Sequence, residues 1–575
     1  NNTSVTFNST ATVNSDDAST KRDLTINTGA GAVAMQGIIG GSVALDAISI
    51  NAATAGAGTV EVANIAGAAG AVSIGNGATA TLTLDGTTYT STGAQTYEAN
   101  DINITAGADV TFTTTNTAVE FQDGAAGQIV LSDATDLTIT TSGGNITIAP
   151  TIAGTDSGGG GNTAEDITLN AAGGTVTLSN TGAAVLATEI GDVTLTGATI
   201  ALSNSITSTG TNSAGSTATI DINGAVTLND NDITITTGGA GIDFSSTIVS
   251  GTATPRALTI AQGAGAVVIN GNIGGTANND VGNITIGATG NDGNITLSGD
   301  IGTDSVAGAA IVALGNASTG LITLGGAEYN TSGTQTYTAD DYNLNGTAIT
   351  LTTSNDIVTF NDGGSDGSID LADAAALTIS TSGANIVVNV PILGTGGGSS
   401  TDVTLNAAAG NVTVEDMGTD VNDVALTGGT ISINGTIETA DLSGSDPGGI
   451  TLTGAVTLAG AVTLDTDSGN GPISVTGAVN ASSSGVETLT ISSGSGAVDF
   501  GGVIGGTTAL GDTTINASGT GTIAIEAIGD GDDVGAIVGT TAIGNSSTAG
   551  ITFDGTVYKF GNPAAGSDTV TITAT

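Results

Sequence analysis

The chain has 575 residues, 93 of them Gly, and contains no Cys, His or Trp. Its 53 Asp and Glu residues stand against four Lys and Arg, for a formal charge of −49. This inventory excludes disulfides and Cys-ligated metals, and it argues against nucleic acid or an anionic membrane as partner, because binding phosphates needs clustered Lys and Arg.

Read from the N-terminus, residues 1–23 look like the tail of a repeat, since Val5-Thr6-Phe7 matches Ile242-Asp243-Phe244. A long unit then opens at 24. Strands are predicted at Leu24–Ile26, Val33–Met35, Ile48–Ile50, Val60–Val62, Val72–Ile74 and Leu82–Leu84, and later at Ile146–Ile148 and Val193–Leu195. These short runs alternate an aliphatic residue with Thr or another small residue, the period-2 pattern of a half-buried strand. Gly, Asn and Asp between them supply turns. Pro150 and Pro391 occupy nearly equivalent places and read as shared turns.

The opening phrase returns as Leu258-Thr259-Ile260 and again as Leu489-Thr490-Ile491. Other landmarks keep step. Gly29 to Val33 returns at Gly263 to Val267 and Gly494 to Val498; Ile74-Gly75-Asn76 returns as Leu314-Gly315-Asn316 and Ile543-Gly544-Asn545; Gln95-Thr96-Tyr97 returns as Gln335-Thr336-Tyr337. Tyr89, Tyr329 and Tyr558 recur in phase, which favours a structural role for them. The organisation is therefore a tail (1–23), long repeat 1 (24–257), long repeat 2 (258–488) and the start of repeat 3 (489–575), forming one continuous solenoid. Neither end carries a polar cap, so the expectation is a piece of a longer chain or ends that neighbouring copies cover, by association end to end.

Strands this short bury a face only when stacked coil on coil. The expected fold is all-β, a right-handed parallel β-helix (β-solenoid); the alternative is tandem β-sandwich domains, which would bring more Trp, Tyr and Pro and clear linkers. Two strands per turn give a coil of about 20–27 residues. With 2% aromatic residues, a narrow core has room for aliphatic side chains but few rings.

Phrases such as Gly224 to Leu228, Gly454 to Leu458, Gly460 to Leu464, Ile504 to Leu510 and Thr92 to Tyr97, echoed at Ser332 to Tyr337, carry a resemblance. The chain resembles the large bacterial β-strand-repeat surface exoproteins, the filamentous-haemagglutinin-like adhesins. The resemblance implies a parallel β-helix, secretion to the cell surface or exterior, and a stalk, filament or adhesin role. An adhesin would take a carbohydrate or cell-surface receptor as partner.

No catalytic constellation is expected, and no catalytic, cofactor-binding or metal residue is singled out. Among 53 carboxylates, chance pairs carry no information, and the basic residues offer one close pair, Lys21 and Arg22. A polysaccharide-processing β-helix enzyme is the remote alternative. No cofactor is expected; Ca²⁺ is the weak candidate, at Asp530, Asp532 and Asp533, at Asp230 with Asp232, or at Gly238 to Asp243, all of which read first as solvated turns. No run of about 18 apolar residues suggests a transmembrane segment. Ice binding would need Thr-x-Thr at the same phase of every coil, and along the sequence the Thr pairs wander in phase.

Overall fold

The computed structural model describes residues 3–575 except 54–55, 57, 125–126, 134, 156–163, 180–183, 187–189, 211–216, 276–278, 288–289, 291–292, 303–308, 365, 373–374, 396–400, 419, 441–446, 531–536 and 562–568. Among the described residues there are only strands, bridges and turns, and no helix. The chain divides into two compact units, 1–293 and 294–575; the division falls inside long repeat 2.

Each unit is a parallel β-solenoid with three strands per turn. One turn of the first unit shows the plan. Val72–Gly75 lies on a first sheet, Thr81–Leu84 on a second and Thr88–Ser91 on a third. The chain then returns to the first sheet at Gln95–Ala99, where Gln95 pairs with Val72 in parallel register. Leu82 pairs likewise with Ile102 on the second sheet, and Thr88 with Thr111 on the third. The second unit repeats this order, with Val312–Leu314 leading to Gln335 on its first sheet, Leu321–Leu324 on its second and Glu328–Thr331 on its third. Every strand register among the described residues is parallel and joins one turn to the next, which rules out β-sandwiches, built from antiparallel pairs.

Two expectations need correction. A turn holds three strands rather than two. The third strand escapes a sequence reading because it is either very short, as at Ile38–Ile39, or fused with the next. Ile190–Leu202 runs along the third sheet, rounds a corner at Gly197 and continues on the first sheet as a single 13-residue strand. Val424–Ile433 does the same at Gly428 in the second unit. Turn length also varies more widely than expected, from 19 residues (Val412 to Ile431) to 34 (Ile152 to Leu186).

The rings are as scarce as expected. Most sit inside: Tyr89, Tyr97, Phe112, Phe121, Tyr329, Tyr337, Tyr342 and Phe360 are among the largest fully buried side chains. They stack from turn to turn, Tyr89 on Phe112 with centroids 4.7 Å apart and Tyr97 on Phe121 at 5.1 Å. The rest of the interior is Ile, Val and Leu at alternate positions, so each strand sends its aliphatics inward and its Thr, Asn and Asp outward.

Corners are closed by small polar side chains. Buried Thr28, Thr237 and Ser493 each donate to the carbonyl three residues on. Gly40 turns with φ +72°, and a Cβ there would stand 2.0 Å from the Gly67 carbonyl oxygen, so only Gly fits. Gly274 and Gly505, its equivalents in the next two repeats, keep φ +77° and +66°. Pro150 and Pro391 each stand immediately before a second-sheet strand, Thr151–Gly154 and Ile392–Gly394, a place where the missing N–H costs the ladder little.

Candidate functional site

The most regular exposed surface is the third sheet of the first unit. Thr88, Thr111, Thr138, Thr168 and Thr194 are successive register partners. Two residues further along each strand, Thr90, Thr113, Thr140, Asn170 and Thr196 form a second column. Alternation leaves both columns pointing outward, because the residues between them are buried. Four of five consecutive turns thus carry Thr-x-Thr in register and the other carries Thr-x-Asn, on a grid of about 4.8 Å between turns and about 6.6 Å along the strand. The array ends where Asp221 and Asn223 follow Thr194 and Thr196. The Thr pairs therefore do not wander in space: insertions in other parts of each turn absorb the changes in spacing.

A row of carboxylates borders this grid. Asp109, Asp136, Asp166 and Asp192 each directly precede Val110, Leu137, Ile167 and Val193, which are register partners. Asp136 Oδ1 accepts the backbone N–H of Asp166 at 2.8 Å, Asp166 Oδ1 that of Asp192 at 2.7 Å, and Asp192 Oδ1 that of Thr219 at 2.6 Å. Asp136, Asp166 and Asp192 thus each cap the corner of the following turn. In the second unit Asp402 and Asp423 serve the N–H groups of Asp423 and Gly449; Asn64 takes the same place in the first unit, and Asn145 and Asn385 make the same bond before first-sheet strands of the two units. Burial pushes the Asp136 carboxyl up from its ordinary range; the Asp166 N–H opposes this, and the charges of Asp166, Asp109 and Asp192 add to it. Asp221 is pushed up by burial first, then by Asp243 and Asp192.

The repeated phrase Gln-Thr-Tyr forms a site of another kind, inside the core. Gln95 is fully buried. Its Nε2 donates to the Tyr89 carbonyl (3.0 Å), Ser91 Oγ (3.1 Å) and the Thr113 carbonyl (3.0 Å), and its Oε1 accepts from the Tyr97 hydroxyl at 3.0 Å. Gln335 makes the same four bonds to Tyr329, Thr331, Thr352 and Tyr337. The Tyr89 hydroxyl accepts from Gly86 N–H and donates to the Val62 carbonyl, and Tyr329 and Tyr558 accept from Gly326 and Gly555 in the same way. The in-phase tyrosines are structural. Burial pushes the hydroxyls of Tyr89, Tyr97, Tyr329 and Tyr337 well above the ordinary phenol range. Gln262 breaks the pattern. It stands where repeats 1 and 3 have Thr28 and Ser493, is fully buried, and neither polar atom of its amide finds a partner.

Some of the Ca²⁺ candidates lie outside the described residues, and others accept local hydrogen bonds. Asp532 and Asp533 lie outside them. Asp232 Oδ1 caps Ala257 N–H at 2.9 Å, and Asp243 accepts from Asn270 Nδ2. Among the described residues no three acidic side chains are grouped to hold a metal ion. Of the basic pair, Arg22 is bridged to Asp16 at 2.8 Å on an exposed surface. No described helix is long and apolar enough to cross a membrane.

No family model, no curated protein and no solved structure matches the chain.

Proposed function

We propose that this protein is an extracellular, non-catalytic structural protein whose β-solenoid units act as stiff spacers, in a filament subunit or a surface stalk of the filamentous-haemagglutinin-like kind. The observation that carries the reading is the closed interior. Strand after strand sends Ile, Val, Leu and stacked rings inward, and the buried polar groups of the Gln-Thr-Tyr phrase are spent on one another. Such an interior holds the turns together from one coil to the next. Bending a solenoid breaks parallel ladders on three sheets at once, so stiffness follows from repetition. The charge of −49 keeps the flat faces of neighbouring copies apart.

The test is electron microscopy of the purified protein without fixation. Uniform rods, or filaments in which copies join end to end, support the reading; globular beads joined by flexible links overturn it.

A second reading is favoured by one observation, the registered Thr grid. A registered lattice of Thr hydroxyls, broken only at Asn170, fits a solid with its own periodicity, and an insoluble polysaccharide is the partner an adhesin of this kind would grip. Co-sedimentation with such a polysaccharide, lost in a Thr138→Glu, Thr140→Glu variant, supports it; equal sedimentation of the two proteins sinks it.

A further inference from the structure

Leu24-Thr25-Ile26 and Leu258-Thr259-Ile260 hold the same place in successive long repeats, and both lie in the first unit. They do not lie on the same sheet. Leu24 begins the first-sheet column, whose register partners run through Ile48, Val72, Gln95, Val119, Ile146, Val176, Ile200, Val226 and Ile248, nine turns in all. Leu258 follows on the second sheet, between Ile233 and Ile284. The neighbouring landmarks move with it. Val33 is on the second sheet and its equivalent Val267 on the third. Ile39 is on the third and its equivalent Ile273 on the first, bridged to Ile248. The local backbone travels intact: Gly29 and Gly263 have φ +64° and +62°.

The second unit shows the same displacement independently. Leu314 stands on its first sheet, paired with Tyr337, while its equivalent Ile543 stands on the second, paired with Ile515. Nine turns on the first sheet, from Val312 to Ile528, come before that step. Tyr329 is on the third sheet, and its equivalent Tyr558 is bridged to Ile528 on the first.

We propose that the long repeat is a screw of nine turns and one third, so that each repeat presents the surface of the one before it rotated by one face. The sheets permit this because all three are built from the same aliphatic-Thr-aliphatic strands, and any landmark can stand on any sheet with the interior still filled. Two consequences follow for partners. A ligand that reads a feature borne once per repeat meets it on a different face in the next repeat. No face offers an uninterrupted row of identical landmarks, so two copies laid side by side lose register after one repeat, which works against lateral sheet-on-sheet aggregation. The inference rests on register alone and holds whichever reading of function stands.

The test uses the full chain, which has no native Cys to interfere. Thr25→Cys and Thr259→Cys together are coupled to biotin and streptavidin and imaged by cryo-electron microscopy down the axis of the first unit. Both positions alternate with inward-facing neighbours, and Thr25 is exposed. The expected result is two labels one third of a turn apart, while a reference pair on one sheet, Thr25→Cys with Thr227→Cys, superimposes. The pair Ala30→Cys and Ala264→Cys, in equivalent exposed turns, repeats the measurement without touching a strand. Labels on one side of the axis in both repeat-equivalent pairs would overturn the screw.

Discussion

The same sequence phrase builds the core around Tyr97 in the first unit and around Tyr337 in the second, with a telling difference. In the first unit four rings interlock: Tyr89 stacks on Phe112, Tyr97 on Phe121, and the two stacks meet edge to face at 5.2 Å. In the second, Leu351 stands where Phe112 would, and Tyr342 replaces Ile102. Tyr337 still stacks on Phe360 at 4.7 Å, and the edge-to-face contact now comes from Tyr342, at 5.2 Å from the Phe360 centroid. The added hydroxyl is satisfied, accepting from Ala339 N–H and donating to the Asn361 carbonyl. The Gln amide and its four hydrogen bonds are meanwhile the same in both units. Apolar filling is therefore exchangeable between sheets so long as volume is kept, whereas the buried polar lock admits no exchange, because each group left over would be stranded.

That contrast can be broken by mutation, with local stability read by hydrogen exchange, since a solenoid opens in parts. The largest effect is expected from Phe121→Ala and Phe360→Ala, each costing about 3–5 kcal/mol. Similar losses of protection in the two units are expected; a loss confined to one would mean that the stacks are not equivalent. Gln95→Leu and Gln335→Leu come next, at about 2–3 kcal/mol, because a Tyr hydroxyl and two carbonyls lose their partner while the volume is nearly kept. Equal costs would sharpen the comparison, and a neutral result in either unit would show that the lock is dispensable. The paired swap Phe112→Leu with Ile102→Tyr, which gives the first unit the residues of the second, is expected to cost only about 1 kcal/mol. A larger loss would show that ring and aliphatic are not interchangeable there.

Much of this was legible in the sequence. The long repeat, the alternation and the parallel solenoid follow from phrases such as Leu24-Thr25-Ile26 and its returns. The count of strands per turn was hidden, because the third sheet and the first share continuous strands at Ile190–Leu202 and Ile220–Leu228, and a corner at a single Gly leaves no gap in the pattern. The Thr grid was hidden for a related reason: its rows are 23 to 30 residues apart (Thr88 to Thr111, Thr138 to Thr168), so a fixed period cannot find them, while register can. The rings were legible in number but not in place: a narrow core was expected to admit few of them, and the stacking of those few at turn spacing shows only in the register.

The smallest expected effect concerns the carboxylate row, and its sign is the informative part. Asp136 is half-buried beside Asp109, Asp166 and Asp192, and its pKa is raised in the folded state, by burial first. The folded state therefore holds the Asp136 proton more firmly than the unfolded chain does. Its contribution to stability is fully present below the unfolded value of about 3.9 and is lost as pH rises through the raised folded value. Asn at this position keeps an oxygen for the Asp166 N–H, as Asn64 does for Thr87 and Thr88 at the same third-sheet corner, and carries no charge. Asp136→Asn should thus protect the third sheet slightly at pH 7, within about 0.5 kcal/mol, and the advantage should vanish as the pH is brought below the carboxylate range. In the second unit, Asp402→Asn is the comparison: Asp402 accepts the same kind of corner N–H, from Asp423 at 3.2 Å, but without four carboxylates in a row. A benefit at Asp136 with none at Asp402 would assign the destabilisation to the stacked row. Equal benefits would assign it to the corner itself, and a loss of protection at pH 7 in Asp136→Asn would show that the carboxylate's charge strengthens the cap more than its neighbours weaken it.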